Sequence, residues 1–165
     1  MRFYQRATVG AEAGLMAGAA VILLFLVQDV VQLAPLATPE VLATSLFGPV
    51  GFQYDTGFLS QAGAVAVFGV RLISYTFLHF LAFAALGMVG AFALSNASWA
   101  ASLMGGGAYG LTACTAVFYG SRLVMDTPVL LEGVGLPAIL VANTVAGVVI
   151  GGGLHLVRSP DAEEG

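Results

Sequence analysis

Four polar residues lie inside long apolar stretches of the sequence, where a polar side chain is costly and often serves a function. Ser74, Tyr75 and His79 belong to one stretch, and Asn143 belongs to another. At about 1.5 Å of rise per helical residue, His79 and Asn143 fall at the same depth. We predict that the four residues form one polar cluster, in which His79 hydrogen-bonds to Asn143 or to a nearby hydroxyl group.

The charged residues of the apolar stretches fall at two matching levels. Asp29 ends the first stretch at the level where Arg71 begins the second, which predicts an ion pair that fixes helix register. Glu12 and His155 are level at the opposite end, and a carboxylate–imidazole pair can relay protons. The alternative for both pairs is that the two groups lie separately at a water interface.

No recognisable catalytic or metal-binding set accompanies these residues. The sequence contains no Gly-x-Ser-x-Gly, no His-Glu-x-x-His and no phosphate-binding loop. Three and four residues after His79, where a second metal ligand would stand, are Ala82 and Phe83. The single cysteine, Cys114, excludes an internal disulfide and a cysteine metal cluster. We expect no enzymatic activity, no metal and no cofactor; the alternative is a haem or pigment held by His79 alone.

The composition indicates what kind of element positions these residues. Of 165 residues, 59% are apolar and 8% are charged, and the mean hydropathy is +0.95. Soluble domains average about 45–50% apolar and 25% charged residues, so a cytosolic enzyme is excluded. All five basic residues are Arg, which leaves no basic patch for nucleic acid. We predict a protein embedded in membrane lipids, with no nucleic-acid partner.

A bilayer span needs about 20 mostly apolar residues, and the sequence offers four such stretches. The predicted fold is therefore all-α, an integral membrane four-helix bundle formed by one transmembrane domain. That domain covers 1–160 and is followed by an acidic tail at 161–165. The spans are expected at about 7–33, 68–94, 99–121 and 136–157. The first stretch is too long for a signal peptide, which is the alternative for it.

The first connection, 34–61, is long enough to carry a short helix outside the membrane. Thr38-Pro39-Glu40 is typical of a helix start, with Thr as the cap, Pro in the first turn and Glu at the positive end of the dipole. We expect this helix to end near Phe47. The connection between the second and third spans is tight, which predicts that these two spans are antiparallel neighbours.

Glycines recur at four-residue spacing and predict close helix packing in a bilayer, where small residues let backbones approach. The first span carries a triplet, and the third and fourth spans carry one pair each: Gly10, Gly14 and Gly18; Gly106 and Gly110; Gly147 and Gly151. Packing within the chain is the simpler interpretation. For the triplet, a docking face for another subunit is the alternative.

The arginines indicate an orientation. Arg2, Arg6 and Arg158 lie on one side of a four-span protein, and Arg71 and Arg122 lie on the other. The positive-inside rule then predicts that both termini are cytoplasmic and that the long connection is outside.

Several short segments resemble a known group of proteins. They are Asp29 at the end of the first span, Thr38-Pro39-Glu40-Val41-Leu42, the run from Tyr75 to Phe83, Val141-Ala142-Asn143, and Arg158-Ser159-Pro160. The pattern resembles a loose group of small four-helix bacterial integral membrane proteins of unknown function. The resemblance implies a bacterial inner-membrane location and carries no activity.

Three functions compete at this point. The first is a non-catalytic accessory or assembly subunit of a larger respiratory, photosynthetic or similar complex, with other membrane subunits or further copies of the chain as partners. The second is a small transporter or channel unit with a polar path around His79 and Asn143. The third is the haem or pigment holder with His79 as its ligand.

Overall fold

The structure, a computed structural model, describes residues 3–48, 58–94, 98–121 and 134–158. These residues are helical apart from short turns, and none of them lies in a strand. The helices are α1 (Phe3–Val31), α2 (Ala37–Phe47), α3 (Phe58–Ala93), α4 (Trp99–Tyr109), α5 (Thr115–Gly120) and α6 (Leu136–Arg158), with a π-helical turn at Gly110–Cys114 between α4 and α5. The acidic tail, 161–165, lies outside the described residues.

Among the described residues, three helices are long and apolar enough to cross a membrane: α1, most of α3, and α6. They correspond to the first, second and fourth predicted spans. The prediction was wrong at the start of α3, because residues 58–61 were assigned to the loop and instead open the helix. The run after Gly57 contains no helix-breaking residue before Gly63, so nothing in it delays the helix.

The third predicted span is divided by the π-helical turn. Ser98 caps α4, its hydroxyl accepting a hydrogen bond from the Ala101 amide at 3.4 Å. Gly110 and Thr115, at the two ends of the turn, both keep right-handed helical dihedrals, so the chain continues in one direction through it. Neither α4 nor α5 is long enough on its own to cross a bilayer.

The glycine triplet of α1 packs against α3. A Cβ on Gly14 would fall on the carbonyl oxygen of Phe83, and one on Gly10 would lie 2.8 Å from the Cβ of Ala91. Gly87 of α3 makes the reciprocal contact, since a Cβ added to it would lie 2.6 Å from Gly14 Cα. The two backbones touch directly, so this face of α1 is covered by α3 and does not offer a docking face for another subunit.

A second glycine contact joins α4 to α6. Gly106 and Gly110 face Gly147 and Gly151, and a Cβ on Gly147 would lie 2.5 Å from the Gly110 nitrogen. As with α1 and α3, only glycine permits helices to approach this closely. All seven predicted packing glycines therefore serve contacts within the chain.

The core lies where these two helix pairs meet, between α1 and α6. Its buried residues include Ala13, Ala17 and Val21 from α1 and Ala146, Ile150 and Leu154 from α6. α3 is peripheral: only 11% of the residues in its most apolar segment are buried, against 56% in α6.

The tight connection predicted that α3 and α4 are close neighbours, but α4 packs chiefly on α6. The contact between α3 and α4 includes one hydrogen bond, which Tyr109 donates to the Leu86 carbonyl oxygen at 2.7 Å.

Candidate functional site

A cavity of about 100 Å³ lies between α1, α3, α5 and α6, and α2 borders it. We call it the His79 cavity. Its lining is largely aliphatic and aromatic and includes three polar residues: Val21, Phe25, Leu42, Tyr75, His79, Phe83, Phe118, Val134, Ile139, Ala142 and Asn143. A side pocket of about 30 Å³ shares five of these residues and extends under α2 to Thr38 and Pro39.

Three of the four residues predicted to cluster, Tyr75, His79 and Asn143, line this one cavity. They converge because α3 and α6 bring them to the same level, as the depth argument predicted. The fourth, Ser74, is half-buried on α3 and is not among the lining residues. Ser74 precedes Tyr75 directly, and consecutive helical residues point in different directions.

His79 bridges α3 to α1. Its Nε2 lies 3.1 Å from the Gly18 carbonyl oxygen, and its Nδ1 lies 3.4 Å from the Tyr75 hydroxyl. A carbonyl oxygen only accepts hydrogen bonds, so Nε2 must carry a proton. In the neutral imidazole, Nδ1 is then an acceptor, and Tyr75 donates to it. The ring therefore presents its lone pair on the side of Tyr75.

The predicted His79–Asn143 hydrogen bond is not formed, because each residue has another partner. Asn143 Nδ2 donates to the Thr115 hydroxyl at 3.0 Å, which ties α6 to the first residue of α5. Thr115 follows the π-helical turn directly, and such turns are frequent at functional sites. In the described part of the chain no fully buried side-chain oxygen lacks a partner. Asn143 Oδ1 accepts none of the hydrogen bonds found there, so this oxygen is not fully buried.

Asp29 does not pair with Arg71 in the structure. Its side chain is 1% exposed, and its two carboxylate oxygens accept hydrogen bonds from the Thr38 amide at 2.9 Å and the Thr38 hydroxyl at 2.6 Å. Thr38 is the second residue of α2 and not its cap, which is Leu36 in a left-handed conformation. Asp29 thus places a negative charge at the positive end of α2 and satisfies one of its free amides.

Arg71 acts at the opposite end of the same short helix. Its Nη1 donates to the carbonyl oxygen of Gly48, the residue that caps α2, at 2.5 Å. A cation at the negative end of a helix is again stabilising. The predicted ion pair is therefore replaced by two separate contacts, one at each end of α2, which hold this helix beside the cavity.

Glu12 and His155 are not brought together as a pair among the described contacts. Glu12 is exposed on α1. The His155 ring packs edge-on against Trp99 of α4, with ring centroids 5.2 Å apart. Equal depth did not suffice here, because residues at one level point in different directions around their helices.

Sequence reasoning missed Thr115 and the aromatic lining of the cavity. A hydroxyl residue in the third apolar stretch, level with Asn143, was the available signal for Thr115. Nothing in the sequence distinguished the aromatic residues of the cavity, Phe25, Phe83 and Phe118, because aromatic residues are common throughout the apolar stretches. Within the described ranges, no three His, Cys, Asp or Glu side chains lie close enough to hold a metal ion.

The fold and site thus define a helical chain with three membrane-length helices and a small cavity lined by Tyr75, His79 and Asn143. No family model, no curated protein and no solved structure matches this chain. The resemblance to small bacterial membrane proteins therefore stays a prediction.

Proposed function

We propose that the chain is a four-span integral membrane protein that binds a small molecule in the His79 cavity. Besides α1, α3 and α6, the proposal counts α4, the π-helical turn and α5 together as one span, the third along the chain. These segments contain 22 residues and run in one direction, so they extend about 33 Å, enough to cross a bilayer. The exposed leucine, valine and phenylalanine side chains on the outer faces of the helices suit contact with lipid.

The number of spans is tested by locating the two termini. In a Cys114→Ala background, single cysteines are introduced at Phe3 and after residue 165, and an impermeant maleimide is applied to intact cells. With four spans and both termini cytoplasmic, neither cysteine reacts until the cells are opened, whereas a control cysteine at Phe47 reacts at once. Termini on opposite sides of the membrane would contradict an even number of spans.

The binding function is carried by one observation, the convergence of Tyr75, His79 and Asn143 on a single cavity. Polar residues that only hold membrane helices together pair across the helix interface. His79 and Asn143 do pair in this way, with Gly18 and Thr115, but Asn143 Oδ1 accepts none of the described hydrogen bonds, and the bond between His79 Nδ1 and the Tyr75 hydroxyl is long, at 3.4 Å. Both residues line a space of about 100 Å³ whose described lining is largely apolar. A small pocket with a few convergent polar groups is the usual form of a ligand site.

The other two hypotheses receive less support. The accessory-subunit hypothesis relied on the glycine face of α1, which α3 covers, and on the aromatic residues of the first connection, of which Phe52 and Tyr54 lie outside the described residues. A haem or pigment macrocycle needs far more room than the cavity offers, since pockets for drug-sized ligands already measure about 300–1,000 Å³. The proposal therefore develops the transporter hypothesis, with the cavity as the place where the solute is held.

The two histidines provide a direct assay of binding. Protein labelled with ¹⁵N-histidine and reconstituted in lipid nanodiscs gives ring signals from His79 and His155 alone. A set of small molecules of different charge and polarity is titrated, and a ligand in the cavity shifts the His79 signals saturably. His155, at the far end of α6, reports unspecific effects of probes that merely dissolve in the lipid.

A matched pair of variants localises the binding. Leu42→Trp puts an indole into the cavity and should abolish the shifts, whereas Leu46→Trp, one turn further along α2 and outside the lining, should preserve them. If no molecule of the set shifts His79 in the wild-type protein, the binding proposal is wrong.

A further inference from the structure

We infer that the ligand is a small uncharged hydroxyl compound, an alcohol of about four to six heavy atoms, bound through Tyr75 and His79. This inference rests on the proposed binding function and adds the chemical class of the ligand. It follows from the size of the cavity, from its charge and from the hydrogen-bonding atoms that remain available.

The size of the cavity suits a ligand of a few atoms. An apolar cavity of about 150 Å³ in another protein binds benzene, with six carbon atoms. By proportion, the His79 cavity of about 100 Å³ holds about four heavy atoms, and the adjoining side pocket of about 30 Å³ adds one or two.

The described part of the lining carries no charge and therefore disfavours ions. None of the described residues that line the cavity is Asp, Glu, Lys or Arg. The nearest described carboxylate, Asp29, already accepts two hydrogen bonds from Thr38 at the end of the side pocket. An ammonium or carboxylate group in the cavity would lose its water without gaining an opposite charge, which is strongly unfavourable.

The available atoms favour a hydroxyl group over other neutral groups. With Nε2 held by Gly18, His79 offers the Nδ1 lone pair, and Asn143 offers a second acceptor, Oδ1. Tyr75 is a donor whose bond to Nδ1, at 3.4 Å, is beyond the usual length for O–H donors. A ligand hydroxyl beside this pair can accept from Tyr75 and donate to Nδ1, replacing one weak bond by two ordinary ones. A hydrocarbon makes neither bond, and an ether makes only the first.

The rest of the ligand meets an apolar wall. Phe25, Phe83 and Phe118, together with Val21 and Ile139, surround the polar groups. A short branched aliphatic chain buries itself there, so isobutanol is a suitable probe.

The test compares molecules of similar size in the histidine assay. Isobutanol, its methyl ether, isopentane, isobutylammonium and isobutyrate are titrated separately into ¹⁵N-histidine protein in nanodiscs. We expect isobutanol to shift His79 Nδ1 saturably, without an equal change at His155, and the other four probes to bind at least tenfold more weakly. Tyr75→Phe should weaken isobutanol binding about two- to tenfold, the usual effect of one neutral hydrogen bond. Tyr109→Phe, on a helix that does not line the cavity, should leave it unchanged.

The possible failures are distinguishable. If an ion shifts His79 and isobutanol does not, the cavity is a binding site but the ligand class is wrong. If the ether and the hydrocarbon bind as tightly as the alcohol, or if Tyr75→Phe has no effect, hydroxyl recognition is wrong. If none of the five probes shifts His79, the ligand class is wrong, and the binding function fails as well only when the broader set of molecules also leaves His79 unshifted.

Discussion

The contact between α4 and α6 makes a strong prediction, because glycine backbones touch there without intervening side chains. Gly147 lies at its centre, facing Gly106 and Gly110. The change Gly147→Ala adds one methyl group to a position where the neighbouring atoms are all backbone. Unlike a flexible side chain, these atoms cannot turn away, so the helices themselves have to move.

The size of the effect follows from the distances. The new Cβ would fall on the Gly106 carbonyl oxygen and would lie 2.5 Å from the Gly110 nitrogen. An ordinary contact between such atoms needs about 3.5 Å, so α4 and α6 must separate by at least about 1 Å. Overpacking of this kind costs about 1–3 kcal/mol. In a bilayer this loss falls on the packing that holds the helices together, because lipid is as apolar as the helix surfaces.

Cys114 offers a specific assay of this contact. It is the only cysteine, it is 3% exposed, and it ends the π-helical turn four residues after Gly110. A membrane-permeant maleimide reacts with it only when the region opens, so the labelling rate follows the opening equilibrium. A loss of about 1–3 kcal/mol predicts labelling about 5- to 150-fold faster in Gly147→Ala.

The control is Gly69→Ala on α3, where nothing lies within 4 Å of the added Cβ. Alanine is the better helix former, by roughly 0.5–1 kcal/mol, so this variant should react no faster than the wild type. Equal labelling rates in Gly147→Ala and the wild-type protein would refute the close packing of α4 on α6.

Two further predictions concern single contacts. Asp29→Ala removes the charge that accepts two hydrogen bonds from Thr38, which should speed amide hydrogen exchange in α2 at least about tenfold, since bonds to a charged group contribute about 1.5–3 kcal/mol. Asp29→Asn, which retains one acceptor oxygen, should have a smaller effect, and Arg71→Gln should speed exchange only at the last turn of α2. The same exchange rates in all three variants would contradict the interpretation that Asp29 and Arg71 each hold one end of α2. Tyr109→Phe removes the hydrogen bond to the Leu86 carbonyl oxygen, and we expect a lower thermal midpoint and a loss of about 1 kcal/mol, measured by unfolding in detergent. An unchanged midpoint would mean that this bond does not stabilise the contact between α3 and α4.

The positions of the long helices were predictable because they depend on local properties of the chain. Apolar runs of sufficient length marked α1, α3 and α6. The glycine spacing likewise marked which helix faces pack, since four-residue spacing keeps small residues on one side of a helix.

The partners of the polar residues were not predictable in the same way. A depth argument gives the level of a residue along its helix but not its direction around it, so Asp29 and Arg71 were paired with each other. In the structure both side chains reach α2, whose two ends offer unsatisfied backbone groups. His79 donates a hydrogen bond to the backbone carbonyl oxygen of Gly18. No sequence pattern indicates which backbone carbonyl a side chain will contact.

The cavity lies where the close glycine contacts between the helices end. At Gly14 the backbone of α1 touches that of α3, but one turn later a Cβ on Gly18 would meet only the Phe80 and Phe83 side chains, at 3.2 Å and beyond. On the other pair of helices, the glycine contact ends where Gly110 meets the Asn143 backbone. Beyond these two points large side chains separate the helices, and packing between them is no longer continuous. His79 reaches the Gly18 carbonyl and Asn143 reaches Thr115 at this level, so the polar groups lie where the bundle has room for a ligand and backbone contact no longer excludes one.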